Sequence, residues 1–154
     1  MRVALASTIA SRSRCRVQYA ALPWRVNEGE LEILLITTLK TRRWIVPKGW
    51  PIEALSPREC AAREALEEAG VSGSIGAKPI GSFRYFKRRK DGDTVPCKVD
   101  VFALEVTTQR RSWAEKRARE FRWCTLEEAL ASVGEPGLRQ VIAAFAETRR
   151  LEVH

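Results

Sequence analysis

Apolar residues first alternate, then run together, then recur every three or four positions along this chain. Each change of rhythm predicts an element. Residues 16–26 (RVQYAALPWRV) mix β-branched and aromatic residues and predict a strand, with Asn27-Glu28-Gly29-Glu30 as its turn. Residues 31–38 (LEILLITT) are near-continuously apolar, which predicts a buried strand. Lys40-Thr41-Arg42-Arg43 reads as a basic loop and Trp44-Ile45-Val46 as a short strand. The rhythm turns helical at residues 57–69, and residues 71–76 read as a turn. Residues 81–87 (GSFRYFK) and 98–106 (KVDVFALEV) predict a long hairpin with an extended polar tip holding Asp91-Gly92. A charged loop over residues 109–120 precedes a short strand, Phe121-Arg122-Trp123. Thr125-Leu126-Glu127-Glu128 opens a second helix with a capping box. In the last helix, over residues 136–150, Leu138, Val141, Ile142 and Phe145 recur at helical spacing and read as core. Strands, a helix, a hairpin, a strand and two helices amount to an α/β chain (α+β in arrangement).

The first helix carries its own punctuation. Ser56-Pro57-Arg58-Glu59 supplies an N-cap serine, proline at the first helical position and a glutamate that closes the capping box. Gly70 supplies the stop, because glycine enters the left-handed conformation without a Cβ penalty. At about 100° per residue, Glu64, Glu67 and Glu68 share a sector of roughly 100°, with Ala62, Leu66 and Ala69 expected opposite, against a core. Taken alone, an acidic helix face is usually just solvated. Yet glutamates at these spacings repel one another and weaken the helix unless something neutralises them. A hard divalent cation with oxygen ligands would do so.

Composition narrows the chemistry. At 154 residues with 45% hydrophobic and 30% charged content, a single globular domain over residues 15–154 is expected. Residues 1–14 (MRVALASTIASRSR) order their basic and apolar residues wrongly for a secretory signal, and are expected to be a disordered N-terminal segment. No run approaches the roughly 18 apolar residues of a membrane span, so no membrane partner is expected. The net charge of +8 favours polyanionic partners: phosphorylated small molecules, with nucleic acid not excluded. Cys15, Cys60, Cys97 and Cys124 form no CxxC pair, which fits a reduced, cytoplasmic setting. The single histidine is His154, so catalysis falls to carboxylates, lysines, arginines and metal. Oligomeric state is not legible.

Gly49, Arg63-Glu64, Glu67-Glu68 and Gly70-Val71 together fit the pattern G-x5-E-x7-R-E-U-x-E-E-x-G-U, with U aliphatic. On these residues the chain resembles the Nudix hydrolases, and the resemblance extends over roughly residues 17–145. Two positions depart. Leu55 stands where the pattern has glutamate, leaving Arg63 without its usual partner unless Glu53 or Glu59 substitutes, and Ala65 fills an aliphatic position. The resemblance implies a Nudix-type α/β/α sandwich, with a mixed sheet between helices, and hydrolysis of a phosphoanhydride by water, with Mg2+ (or Mn2+) as cofactor. It makes Glu67 and Glu68 main metal ligands, with Glu64 a ligand or the residue that orients or deprotonates water. It also gives a backbone carbonyl ligand at the position of Lys48 and a further acidic residue from a later loop, Glu115 or Glu120. Gly49, Arg63 and Gly70 are structural.

Within the family, RRWIVPKGWP and WAEKRAREFRW most resemble the diphosphoinositol polyphosphate and diadenosine polyphosphate phosphohydrolase branch. Arg16, Lys40, Arg42, Arg43 and Lys48 are the cations expected near such a polyphosphate, although each also reads as an ordinary surface charge. Arg84, Lys87, Arg88, Arg89, Lys90 and Lys98 make the hairpin the most basic part of the chain, either a solvated tip or a clamp over phosphates. The rival substrates are ADP-ribose or a nucleoside triphosphate. The rival class is a non-catalytic Nudix-fold module that binds RNA or protein, against which the three glutamates stand.

Overall fold

The computed structural model describes residues 15–153, so the expectation for residues 1–14 lies outside it. The described elements are β1 (Arg16–Asn27), β2 (Glu30–Thr37), β3 (Trp44–Ile45), β4 (Lys48–Gly49), α1 (Pro57–Ala69), β5 (Val71–Ile75), β6 (Gly81–Arg88), β7 (Thr94–Gln109), β8 (Phe121–Thr125), α2 (Leu126–Ser132) and α3 (Pro136–Val153). The strands form one mixed sheet with the order β3-β2-β1-β7-β5, while β4 pairs with β1, β6 with β7 and β8 with β2. The central pair is parallel, running from Arg16 beside Cys97 to Trp24 beside Glu105. The other strand pairs are antiparallel.

The central strands are buried on both faces, and their alternate residues feed two separate cores. Ala20, Leu22 and Trp24 of β1, with Ile33 and Leu35 of β2, pack beneath Leu138, Val141, Ile142 and Phe145 of α3. Fully burying each such aliphatic or aromatic side chain stabilises the fold by roughly 1.5–3 kcal/mol. On the opposite face Ala21, Leu34, Ile36, Phe102 and Leu104 meet Ala61, Ala65 and Ala69 of α1. The α/β/α sandwich follows from that alternation.

Three expectations are corrected. Residues 71–75 form β5 rather than a turn, paired from Val71–Gln109 to Ile75–Leu104 with an irregularity between Ser72 and Gly73. Its small, polar residues carry little strand propensity. The strand exists because β7 offers an edge, and because Gly73 has no Cβ to meet the Glu105 carbonyl oxygen. Strand β7 extends beyond residues 98–106 at both ends, so the hairpin tip is short. It is closed by the Arg89 N–H donating to the Asp93 carbonyl at 2.7 Å, with Gly92 at φ +90°. Finally, α1 packs through Ala61, Ala65 and Ala69, while Ala62 and Leu66 are only half-buried. The buried stripe is rotated toward the glutamates and includes Glu68, which is 7% exposed.

Candidate active site

The caps of α1 are those its sequence predicts. Ser56 accepts from the Glu59 N–H and Glu59 accepts from the Ser56 N–H, while Gly70 closes the helix at φ +70°. The alanine stripe lets the helix lie close to the sheet, which brings its carboxylates to β4. The Lys48 N–H donates to Glu68 Oε1 at 3.2 Å. A Cβ on Gly49 would stand 2.5 Å from the Glu64 carboxyl, so glycine there is what lets that carboxylate lie against the backbone. β4 is held by β1, with Lys48 opposite Ala20 and Gly49 opposite Tyr19.

Glu64 and Glu68 lie close enough to act on each other, and burial raises both carboxyls. Glu68 is pushed up to about 8: burial outweighs the nearby Arg119 guanidinium, and Glu64 adds to the rise. Glu67 turns the other way, 4.0 Å from Arg63 in a solvent-exposed pair. That contact answers for Arg63 in place of the expected Glu53 or Glu59, the latter being occupied in the capping box. Among the described residues, no three acidic, cysteine or histidine side chains already converge as a metal cage. The donor set nevertheless fits a hard divalent cation. Two neighbouring carboxyls whose charged forms burial disfavours are oxygen ligands whose ionised state such an ion would stabilise, and Glu67 is held elsewhere only by an exposed pair of small worth.

The loop after β7 closes the site from above. The Arg110 N–H donates to the Gly70 carbonyl at 2.8 Å and the Glu115 N–H to the Glu67 carbonyl at 3.1 Å. The Trp113 ring lies on Gly70, where any Cβ would collide with it. Arg119 reaches Glu68 Oε2 at 3.5 Å and Glu115 Oε1 at 2.9 Å, and donates to the Thr37 carbonyl at 2.9 Å. Glu115 is thus beside the carboxylate cluster, whereas the Glu120 backbone is tied to Thr37 and its side chain is exposed. Arg119 was missed in the sequence, although its spacing of four from Glu115 in a loop next to the helix was a usable signal.

The expected cations separate into two groups. Lys48 donates to the Tyr85 hydroxyl at 3.1 Å, which donates to Gln18 at 2.6 Å. Burial and the charge of Lys87 lower the Lys48 ammonium to about 8, with Glu68 opposing. Arg16 and Lys87 both face the Trp50 ring, at 4.8 and 5.8 Å. The charge of Arg43 is felt at Tyr85. Arg16, Arg43, Lys48 and Lys87 therefore share one neighbourhood. Arg42 is turned elsewhere, donating to the Ala118 carbonyl at 2.8 Å, and Lys40 is exposed on the turn beside it. Next to Lys48 opens a pocket of about 260 Å³, walled by Trp44, Phe83, Tyr85 and Leu138 and reached by Arg43. Tyr85, Trp44 and Trp50 had drawn no site reading from the sequence, and Lys87 only as one of the hairpin cations, because strand alternation alone does not say which face meets the glutamates.

A model of the NUDIX domain matches residues 17–145. The chain belongs to that family. It is 36% identical over 108 residues to Nudix hydrolase 12, mitochondrial, of Arabidopsis thaliana, a match covering 66% of this chain and 52% of that protein. It is 34% identical over 107 residues to diphosphoinositol polyphosphate phosphohydrolase 3-alpha of Mus musculus, covering 68% and 61%. The matched part thus spans between about half and under two thirds of these relatives. Among solved structures, an Ap4A hydrolase of C. elegans superposes with a TM-score of 0.65 at 20% identity, covering 88% of this chain and 98% of that one, a likeness of fold.

Proposed function

We propose that this chain hydrolyses a phosphoanhydride bond in a polyphosphorylated small molecule, with Glu64, Glu67 and Glu68 as ligands for Mg2+ or Mn2+. A divalent cation bound there would supply charge neutralisation on the phosphate oxygens and make a nearby water more acidic. The observation that carries the reading is the contact of Glu68, paired with Glu64, with Lys48, around which Lys87, Arg16 and Arg43 gather. Like charges this close cost energy on their own, and a phosphate chain laid across them relieves that repulsion. Glu64, against Gly49, is placed to orient water and take its proton as oxygen attacks phosphorus and the bridging P–O bond breaks. Arg119 keeps Glu68 and Glu115 in register. Lys48, held by Tyr85, receives phosphate oxygens.

The density of cations and the similarity to diphosphoinositol polyphosphate phosphohydrolase 3-alpha support a highly phosphorylated inositol as substrate. A second reading, a dinucleoside polyphosphate, is favoured by the pocket beside Lys48, whose aromatic and aliphatic walls suit a nucleobase. Glu135 at that pocket disfavours extra phosphates there. Phosphate release with Mg2+ should be measured on a diphosphoinositol polyphosphate, a dinucleoside polyphosphate, ADP-ribose and a nucleoside triphosphate, with wild type and Glu68→Gln. Turnover of one of the first two, lost in the variant, is expected. No activity on any substrate, or activity that the substitution leaves intact, overturns the mechanism. Lys87→Ala should raise KM most for the inositol substrate, and added salt should do the same.

A further inference from the structure

The basic hairpin divides into two faces, and only one of them carries Tyr85 and Lys87 of the site above. Phe83, Tyr85 and Lys87 share one face, the first two lining the pocket and Lys87 lying over Trp50, whereas Ser82, Arg84, Phe86 and Arg88 point the other way and are exposed. Across the pair, Arg84 stands opposite Lys98, Phe86 opposite Pro96 and Arg88 opposite Thr94. Directly opposed residues share a face. The outer face therefore presents Phe86 level with Arg84, Arg88 and Lys98. At 73% exposed, Phe86 is the most exposed large hydrophobic side chain among the described residues. One acidic group enters the cluster: Asp100, 3.5 Å from Lys98. At about 3.4 Å per residue, Arg84 to Arg88 makes a row about 14 Å long. That is room for about four stacked nucleotides.

We infer that the outer face of the β6–β7 hairpin, through Phe86 flanked by Arg84, Arg88 and Lys98, binds single-stranded nucleic acid apart from the catalytic cleft. A flat ring between cations on a strand supplies both parts of such recognition: a stacking platform tolerant of any base, and charges tracking the backbone. An anionic membrane fits the same charges less well. Insertion needs apolar surface to pass below the headgroups, and here the two arginines, longer than the phenylalanine beside them, hold the ring at their own level.

The test is fluorescence anisotropy of the full chain with a labelled 12-nucleotide oligo(U) RNA. Three phosphate contacts at about 0.7 each predict binding about twentyfold weaker at 200 mM than at 50 mM salt. Phe86→Ala should weaken binding about tenfold or more, and Phe86→Trp should restore it. Arg84→Ala with Arg88→Ala should weaken it and flatten the salt dependence. None of these residues lines the pocket beside Lys48 or touches Lys48 or Glu68, so hydrolysis of the small-molecule substrates should be unchanged in these variants, and a non-hydrolysable dinucleoside polyphosphate should not displace the RNA. The inference is overturned by any of four results: no binding at 50 mM salt, binding indifferent to Phe86→Ala, displacement by the dinucleotide, or binding to phosphatidylserine vesicles without binding to RNA. Loss of catalysis in Glu68→Gln with RNA binding retained keeps this surface distinct from the hydrolytic one.

Discussion

The two faces of the sheet are packed by different rules. Over one, α3 buries Leu138, Val141, Ile142 and Phe145, and Trp24 meets the Phe145 ring with centroids 5.7 Å apart. Over the other, α1 offers only methyl groups at Ala61, Ala65 and Ala69, and buries a carboxylic acid among them. The first face accumulates apolar burial. The second forgoes much of it so that a helix can approach the sheet closely enough for Glu64 to touch Gly49 and Glu68 to accept from Lys48. Stability and chemistry are thus drawn from opposite sides of the same strands.

Substitutions sharpen that division. The largest effect should come from Glu68→Gln, which is expected to cut turnover roughly a hundred- to a thousandfold, the usual scale for losing one electrostatic group at a reacting centre. Its thermal midpoint should not fall, because a buried acid is replaced by a neutral amide. The same variant tests the pH dependence. The Glu68 carboxyl is raised from 4.5 to about 8 by burial, so the metal-free fold binds the proton more tightly than the unfolded chain does. Its contribution to stability is complete below about 4.5 and is lost as pH rises through about 8. Thermal melts over that window should decline in wild type and flatten in Glu68→Gln, and Mg2+ should offset the decline. A wild-type profile without slope breaks the assignment.

On the other face, Ile142→Ala should cost about 2–5 kcal/mol in denaturant unfolding, with KM unchanged in the fraction that stays folded. Ala65→Leu is the converse. Overpacking should cost about 1–3 kcal/mol, and pushing the helix off the sheet should lower kcat as well. If Ala65→Leu were as active as wild type, close approach would not be what the alanines provide. The smallest effects belong to the caps. Ser56→Ala and Thr125→Ala should each cost about 1 kcal/mol, and only the former should also alter turnover, since only α1 holds the carboxylates.

What the sequence conveyed was local. The capping boxes at Ser56 and Thr125 and the stop at Gly70 rest on residues within a few positions of one another, and they appear where expected, whereas of the three glutamates only Glu64 and Glu68 come together and Glu67 turns to Arg63. Contacts closed by distant chain were illegible. β5 depends on the edge of β7, and the orientation of α1 on Glu68 being buried rather than solvated. The partnering of Glu68 with Arg119 needs the Thr37 carbonyl to hold the loop. The hairpin cations looked like one cluster because sequence order does not separate Lys87 from Arg88; the pleat puts them on opposite faces.

The parallel pairing of β1 with β7 joins residues about eighty positions apart, and β7 is also the partner of β5 and β6. During synthesis, therefore, the first two strands and α1 emerge well before the strand that joins them to β5 and β6. Pairings this distant in sequence are slow to form, and they leave edges open while they wait. The growing chain should resist proteolysis only after residues near 109 have left the ribosome, in one late step rather than by gradual accretion.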